Sequence, residues 1–150
     1  AGADIVVAGQ TLPIRYDPGE GTTRMFGGNS NWRGPVWFPV NTLIVSALRR
    51  YAEGSGHDIE LEVPTGSGTV MGLAQAADLL DDRLIALFRP ARDGRRPSAP
   101  ATYPDGPLWD HPTFSEYFHA DTGIGLGASH QTGWTALVAH LICLRGDREG

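Results

Sequence analysis

The sequence is poor in cysteine, in long apolar runs and in surplus positive charge. Its single cysteine, Cys143, cannot form an internal disulfide, which indicates a reducing compartment or one whose redox state does not matter to the protein. No apolar run approaches the roughly 20 residues that a membrane span needs. The first ten residues also lack the basic and apolar regions of a signal peptide. We therefore expect a cytoplasmic protein that does not enter a membrane.

The charge balance argues against nucleic acid as a partner. Twelve basic residues stand against 17 acidic ones, which gives a net charge of −5. Binding to a polyanion requires clustered, surplus cations. The 150 residues suit one domain, and with 41% hydrophobic residues the chain can bury a sizeable core. We therefore expect one folded domain, 1–150, rather than a disordered chain.

Three segments carry apolar residues at helical spacing. The first, 39–53, begins with Pro39 and is followed by Gly54, which are favourable start and stop residues. The second runs over 71–88 and is ended by a proline, and the third over 132–145. In the third helix, we expect Cys143 to be a small buried hydrophobic residue.

Loops occupy much of the remaining chain. Residues 89–113 hold six of the eleven prolines, so we predict a long loop there. Ile5–Val7 is compatible with a strand or with the end of a helix, and no convincing sheet is visible. The predicted fold class is therefore all-α, with long loops that join the helices. Because chemical groups concentrate on loops, the loops are where we look for a site.

A segment rich in tryptophan and amide side chains directly precedes the first helix. Trp32, Arg33 and Trp37 follow two asparagines, Asn29 and Asn31. Indole faces can cover the apolar face of a sugar, while arginine and amide groups bind neighbouring hydroxyls. An equally good interpretation places the tryptophans in the core, with Arg33 as a structural anchor of the loop.

Glu116 is surrounded almost entirely by aromatic residues, in the segment 114–119. Apolar surroundings raise the pKa of a carboxyl group and make it useful as a general acid or base. The alternative is an ordinary surface glutamate in a turn, which is what most glutamates are.

Two other patterns are weaker. The segment 123–128 matches the letters of a dinucleotide fingerprint but lacks the strand and crossover that this motif requires, so we predict a close-packed loop. The histidines are not at the spacing of a helical zinc site. A metal site is the less favoured possibility, and its candidate ligands are His111, His119 and His130 with Asp110 or Asp121.

Three motifs in order resemble glycoside hydrolase family 63. Residues 27–41 contain its Trp-Arg-Gly-Pro signature, and 116–123 followed by 127–135 resembles the segment around its catalytic base. Residues 63–68 read like the bacterial branch, whose members are related to mannosylglycerate hydrolase and to α-glucosidases. The similarity runs from about residue 12 to 145, nearly the whole chain.

The resemblance implies a portion of an (α/α)6 barrel and an inverting mechanism on an α-glucoside or α-mannoside. It places Glu116 as the general base and implies no metal or organic cofactor. The residues that it places at the carbohydrate are Asn31, Trp32, Arg33, Trp37, Tyr117, His130, Gln131 and Trp134.

The sequence also departs from the family. The family's general acid is an aspartate well upstream of the Trp-Arg-Gly-Pro segment, and no upstream acid here stands in a recognisable context. We therefore expect 1–150 to be the C-terminal part of such a catalytic domain. The expected partners are a carbohydrate and the missing N-terminal part of the barrel, whether in the same polypeptide or in a separate one. The alternative is a non-catalytic carbohydrate-binding or structural remnant.

Overall fold

The computed structural model describes residues 2–22, 32–55, 59–99 and 111–149. Within these ranges the chain forms four helices and six short strands. The helices are α1 (Phe38–Ser55), α2 (Leu73–Ala86), α3 (Thr132–Thr135) and α4 (Leu137–Glu149). The strands are β1 (Ala3–Val7), β2 (Gln10–Ile14), β3 (Glu60–Glu62), β4 (Val70–Gly72), β5 (Tyr117–Phe118) and β6 (Gly125–Leu126).

The strands pair in sequence order as three separate antiparallel ribbons, β1–β2, β3–β4 and β5–β6. The all-α prediction is therefore wrong. Each strand has only two to five residues, which is too short for the period-2 pattern to stand out in the sequence. The first ribbon turns at Ala8 and Gly9, which both have positive φ angles, 50° and 78°. A two-residue turn of this kind suits the twist of a β-hairpin.

The predicted portion of an (α/α)6 barrel is wrong as well. The three long helices α1, α2 and α4 all pack on one another. Within the described ranges they form one cluster, with the short ribbons attached, rather than an inner and an outer ring. The fold is mixed.

The predicted helices lie close to where periodicity placed them. The prediction 39–53 is confirmed by α1, and 71–88 contains α2. However, the start of this second segment is strand β4. The third prediction, 132–145, is two helices with a break at Ala136. The expectation of a buried Cys143 is also wrong, since its side chain is exposed.

The hydrophobic core joins the helices to the β5–β6 ribbon. Phe38 of α1 and Phe118 of β5 are fully buried, with ring centroids 5.5 Å apart. Leu84 and Ile85 of α2 complete this cluster together with Val138 and Leu141 of α4. Because Phe118 is anchored in the core, the residues next to it are held at a fixed position relative to the helices.

An ion-pair network ties the three long helices together. Asp81 of α2 is 1% exposed and accepts hydrogen bonds from Arg49 of α1 and, at 3.1 Å, from Arg148 of α4. Arg49 also binds Asp78, at 2.8 Å. A buried carboxylate is tolerated only when it is paired in this way. The network therefore fixes the packing of α1 and α4 on α2.

Two further sequence predictions concern loops and membranes. The described parts of the proline-rich segment, 89–99 and 111–113, contain neither helix nor strand, in agreement with the prediction. No helix among the described residues is long and apolar enough to cross a bilayer.

Candidate functional site

The extended segment that contains Glu116 is held on both sides. Phe118 exchanges two backbone hydrogen bonds with Val36, of 2.8 and 3.0 Å, on one side of this extended segment. On the other side, the N–H of Glu116 donates to the carbonyl of Ala128, at 2.9 Å. Glu116 therefore lies between the Trp-Arg-Gly-Pro loop, residues 32–37, and the glycine-rich loop, residues 123–128. Both loops contain the motifs identified in the sequence.

The carboxylate of Glu116 is also positioned by backbone. Its Oε2 atom accepts a hydrogen bond from the N–H of Ala128, at 3.1 Å, and the side chain is half-buried. Within the described ranges, Ala128 is the only hydrogen-bond donor to this carboxylate. One carboxylate oxygen is thus fixed, and the other can interact with a water molecule or a substrate.

The glycines of the 123–128 loop permit this arrangement. A Cβ atom at Gly125 would lie 2.2 Å from Ser115 Oγ. A Cβ atom at Gly127 would lie 2.7 Å from Glu116 Oε2 and 2.6 Å from a ring carbon of Tyr117. Gly127 also has a φ of 71°. The prediction of a close-packed loop is confirmed, and its glycines let backbone approach the Glu116 carboxylate.

Further bonds attach the start of α3 to the same segment. The N–H of Gln131 donates to the carbonyl of Phe114, at 2.7 Å, and the buried hydroxyl of Thr135 donates to the carbonyl of Ser115, at 2.6 Å. Sequence reasoning did not identify Ser115 or Thr135 as supports. Neither has a signal in the sequence, because the hydroxyl of Thr135 and the backbone carbonyl of Ser115 meet only in the folded chain.

We expect Gly127→Ala to impair the site through the Glu116 carboxylate. The new methyl group must displace either Glu116 Oε2 or the buried ring of Tyr117. The free energy of unfolding should fall by about 1–3 kcal/mol, the usual cost of overpacking. Denaturant unfolding and thermal melts measure the effect.

Gly68→Ala is the matched control for this change. Gly68 also has a positive φ, 74°, but nothing lies within 4 Å of a Cβ atom there. It therefore introduces the same type of backbone strain without the clash. Equal losses of stability in the two variants would contradict this close contact at Gly127.

Three aromatic rings stack beside Glu116. Trp32 lies 4.3 Å from Trp37, with an angle of 16° between the rings, and Trp37 lies 4.6 Å from Tyr117, with an angle of 25°. Trp37 and Tyr117 are buried, whereas Trp32 is 63% exposed. The stack therefore has one end in the core, next to the Glu116 backbone, and presents a wide apolar ring at the surface.

Trp134 completes the aromatic group. Its ring is edge-on to Trp32, with centroids 6.3 Å apart. Its indole Nε1–H is buried and has no hydrogen-bond acceptor within the described part of the chain. An unpaired buried donor is unfavourable, so this group favours an acceptor from a ligand or from additional polypeptide.

The other predicted residues lie around this aromatic group. Arg33 is exposed between Trp32 and Gly34, and His130 and Gln131 are exposed at the start of α3. His130 has a φ of 61°, which is unusual for a residue other than glycine. Asn31 lies outside the described residues. The structure thus brings two distant motifs, 32–37 and 116–134, to one surface.

Tyr117 links the aromatic stack to nearby carboxylates. Burial raises the pKa of its hydroxyl, and the negative charges of Glu20 and Glu116 raise this pKa further. The phenol is therefore protonated at neutral pH and can act as a hydrogen-bond donor.

The candidate metal ligands do not come together within the described residues. No group of three or more histidine, cysteine or acidic side chains there could hold a metal ion. His119 Nδ1 instead accepts the backbone N–H groups of Asp121 and Thr122, at 3.2 and 3.3 Å. Asp110 lies outside the described residues.

A cavity of about 440 Å³ lies apart from the Glu116 surface. None of the predicted site residues lines it. It is lined by Val36, Asn41, Leu80, Arg83, Leu84, Leu87 and Ala120.

Comparison with known proteins identifies relatives over most of the chain. The chain is 48% identical to the uncharacterized protein YMR196W of Saccharomyces cerevisiae over 141 residues. This aligned region covers 91% of the chain and 13% of the yeast protein. The chain is 27% identical over 120 residues to the mannosyl-oligosaccharide glucosidase of the same yeast, covering 78% of this chain and 11% of that enzyme. The chain therefore spans only about a tenth of the length of either relative. No solved structure matches it.

A family match covers both motifs of the site. Residues 15–135 match the mannosylglycerate hydrolase MGH1-like glycoside hydrolase domain. This range includes the Trp-Arg-Gly-Pro loop, the segment around Glu116 and the start of α3. The chain belongs to the MGH1-like glycoside hydrolase domain family.

Proposed function

We propose that this chain carries the general base of an inverting glycoside hydrolase that acts on an α-glucoside or α-mannoside. The observation that carries the proposal is the position of Glu116. Its carboxylate is held by the Ala128 N–H at 3.1 Å, beside an aromatic stack that ends in the exposed Trp32. Its motif lies inside the family match, 15–135. Membership of the family's bacterial branch and a cytoplasmic location stay predictions.

The chemistry of inversion assigns one step to Glu116. The carboxylate removes a proton from a water molecule, whose oxygen attacks the anomeric carbon from the face opposite the leaving group. A second carboxylic acid donates a proton to the glycosidic oxygen as the bond to the anomeric carbon breaks. The two carboxyl groups of inverting enzymes stand roughly 6.5–9.5 Å apart, which leaves room for the water. We propose that this second group lies in polypeptide other than residues 1–150.

The aromatic group supplies the proposed binding surface for the sugar. The exposed face of Trp32 can cover the apolar face of a pyranose ring. The polar side chains around it can bind the hydroxyls, and the buried N–H of Trp134 favours an acceptor. These polar side chains are Arg33, His130 and Gln131. The family resemblance adds Asn31, which lies outside the described residues.

We propose that additional polypeptide of the same protein covers the outer face of α1. This face exposes Val40, Leu43, Ile44 and Tyr51, and Leu43 is 72% exposed. Exposed apolar patches of this kind mark a partner surface. The relatives have many more residues than this chain, since it spans 13% and 11% of their lengths. Residues corresponding to the remainder of those proteins are the proposed occupant.

The Leu43→Glu substitution tests this proposal, because its effect should differ between the full-length protein and the isolated chain 1–150. In the full-length protein, we expect it to lower the free energy of unfolding by about 2 kcal/mol or more, because a charge is buried without a partner. In the isolated chain 1–150, we expect it to reduce self-association at an otherwise exposed apolar face. Denaturant unfolding and sedimentation velocity measure the two effects.

Val6→Glu is the control, because Val6 is 69% exposed on the β1–β2 ribbon rather than on α1. We expect only a small change from it in either protein. A Leu43→Glu variant of the full-length protein with unchanged stability would show that nothing covers α1.

The anomeric configuration of the first product tests the proposed reaction. The full-length protein is incubated with α-glucosides and α-mannosides, and proton NMR follows the released sugar before it mutarotates. We expect the β-anomer to appear first, because the water attacks opposite the α-linked leaving group. An α-anomer as the first product would contradict inversion. Binding of these sugars without any hydrolysis would favour the non-catalytic alternative.

A further inference from the structure

The loop 17–22 is packed against the β5–β6 ribbon close to Tyr117. The carbonyl of Pro18 accepts a hydrogen bond from the N–H of Ala120, at 2.8 Å. Gly19 is buried, and a Cβ atom there would lie 2.8 Å from the ring of His119 and 3.5 Å from the side chain of Leu126. Leu126 is the cross-strand partner of Tyr117. The backbone before Glu20 is therefore held against the β5–β6 ribbon, which contains Tyr117.

The same loop is also fixed on its other sides. Thr22 donates hydrogen bonds through its hydroxyl to the carboxylate of Asp17, at 3.1 and 3.3 Å, which closes the loop. The backbone at Gly34 passes so close to Asp17 that a Cβ atom would lie 1.6 Å from its carbonyl oxygen. Glu20 thus projects from a braced loop, although its own side chain is exposed.

The negative charges of two carboxylates raise the pKa of the Tyr117 hydroxyl. After burial, the charge of Glu20 is the next largest cause of the raised pKa of Tyr117, ahead of the charge of Glu116. Electrostatic effects of this kind require the charge to lie near the titrating group. This agrees with the packing of Gly19 against Leu126. Among the described residues, no hydrogen bond or ion pair engages the Glu20 carboxylate.

We propose that Glu20 is a substrate-binding carboxylate, which accepts hydrogen bonds from sugar hydroxyls at the edge of the aromatic surface. The proposal rests on the sugar-binding surface proposed above. A carboxylate provides two acceptor oxygens, and its hydrogen bonds to hydroxyls are stronger than those between neutral groups. A braced backbone lowers the cost of ordering this side chain on a ligand. Glu20 determines affinity and specificity, whereas Glu116 performs the proton transfer.

The first arm of the test locates Glu20 without any substrate. Tyrosine ring carbons of the full chain are labelled and titrated by NMR, with Tyr117→Phe used to assign the Tyr117 signal. We expect Glu20→Gln to lower the pKa of Tyr117, because a negative charge is removed. The matched control, Glu53→Gln, removes an exposed carboxylate on α1 and should leave this pKa unchanged. An unchanged pKa in Glu20→Gln would overturn the placement.

The second arm measures binding and turnover in the full-length protein. Isothermal titration calorimetry with methyl α-glucoside and methyl α-mannoside should show Glu20→Gln to bind its preferred sugar about tenfold to a hundredfold more weakly, as expected for loss of a hydrogen bond to a charged group. The KM should rise by a similar factor with a smaller change in kcat, and Glu20→Asp should restore part of the affinity.

The outcomes separate this proposal from the proposed function. Unchanged affinity and KM in Glu20→Gln, with hydrolysis still lost in Glu116→Gln, would overturn only the role of Glu20. A loss confined to kcat would also overturn it, because Glu20 would then act on the reaction rather than on binding. If the protein binds sugar but hydrolyses none, a weaker affinity in Glu20→Gln still supports Glu20 while the catalytic proposal fails. A wild-type protein that binds neither sugar would overturn both proposals.

Discussion

Glu116→Gln is expected to reduce hydrolysis by the full-length protein about a hundredfold to ten-thousandfold, the usual contribution of a general base. The amide has nearly the same shape as the carboxylate, and its oxygen can still accept the Ala128 N–H. It cannot take a proton from water. The affinity for sugar should therefore stay within a few fold of the wild-type value. Steady-state kinetics and calorimetry on the same preparations measure both quantities.

Glu53→Gln is the control for Glu116→Gln, since it makes the same chemical change on an exposed part of α1. It should have wild-type kinetics. Hydrolysis at a wild-type rate in Glu116→Gln would show that another group is the base. A loss of sugar affinity as large as the loss of rate would point instead to a role for Glu116 in binding.

Gly34→Ala is expected to destabilise the protein by about 3 kcal/mol, at the upper end of the usual cost of overpacking. A Cβ atom there would lie 1.6 Å from the backbone oxygen of Asp17 and 2.5 Å from its carbonyl carbon. Both are backbone atoms and cannot turn away as a flexible side chain would. The Trp-Arg-Gly-Pro loop must therefore separate from loop 17–22, and Trp32 moves with it. Denaturant unfolding measures the loss.

Gly54→Ala provides the comparison for Gly34→Ala, because nothing lies within 4 Å of a Cβ atom at Gly54. Alanine favours a helix over glycine by roughly 0.5–1 kcal/mol, so Gly54→Ala should leave stability unchanged or slightly higher. Wild-type stability in Gly34→Ala would mean that the two loops are not in contact. The Gly34 position also explains why the motif contains a glycine between its arginine and its proline.

The long helices were predictable because their signals are local. The segment 39–53 combines helical spacing of apolar residues with favourable residues at both ends, and α1 runs from Phe38 to Ser55. The ribbons were not predictable in the same way. β5 and β6 have two residues each, and their pairing depends on a buried Gly125 packed against Ser115. A contact between residues ten positions apart leaves no periodic pattern in the sequence.

The candidate site was predicted as a set of residues but not as an arrangement. The motifs around Trp32 and Glu116 predicted sugar chemistry and the family, and the family is confirmed by the match over 15–135. The roles of the individual residues stay predictions. The alternatives for the tryptophans could not be separated in the sequence, and in the structure Trp37 is buried while Trp32 is exposed. Exposure depends on packing against distant parts of the chain.

The sequence by itself determined the family, the three helical segments and the candidate base, because motifs and periodicity are properties of neighbouring residues. Only the tertiary structure decided the mixed fold, the stack from Trp32 to Tyr117 and the Ala128 N–H on the Glu116 carboxylate. It also decided the packing of the loop 17–22 against the β5–β6 ribbon. These features depend on close approach between backbone segments that lie far apart in the chain. Such approaches are set by the packing of the whole core and leave no signature in any one segment.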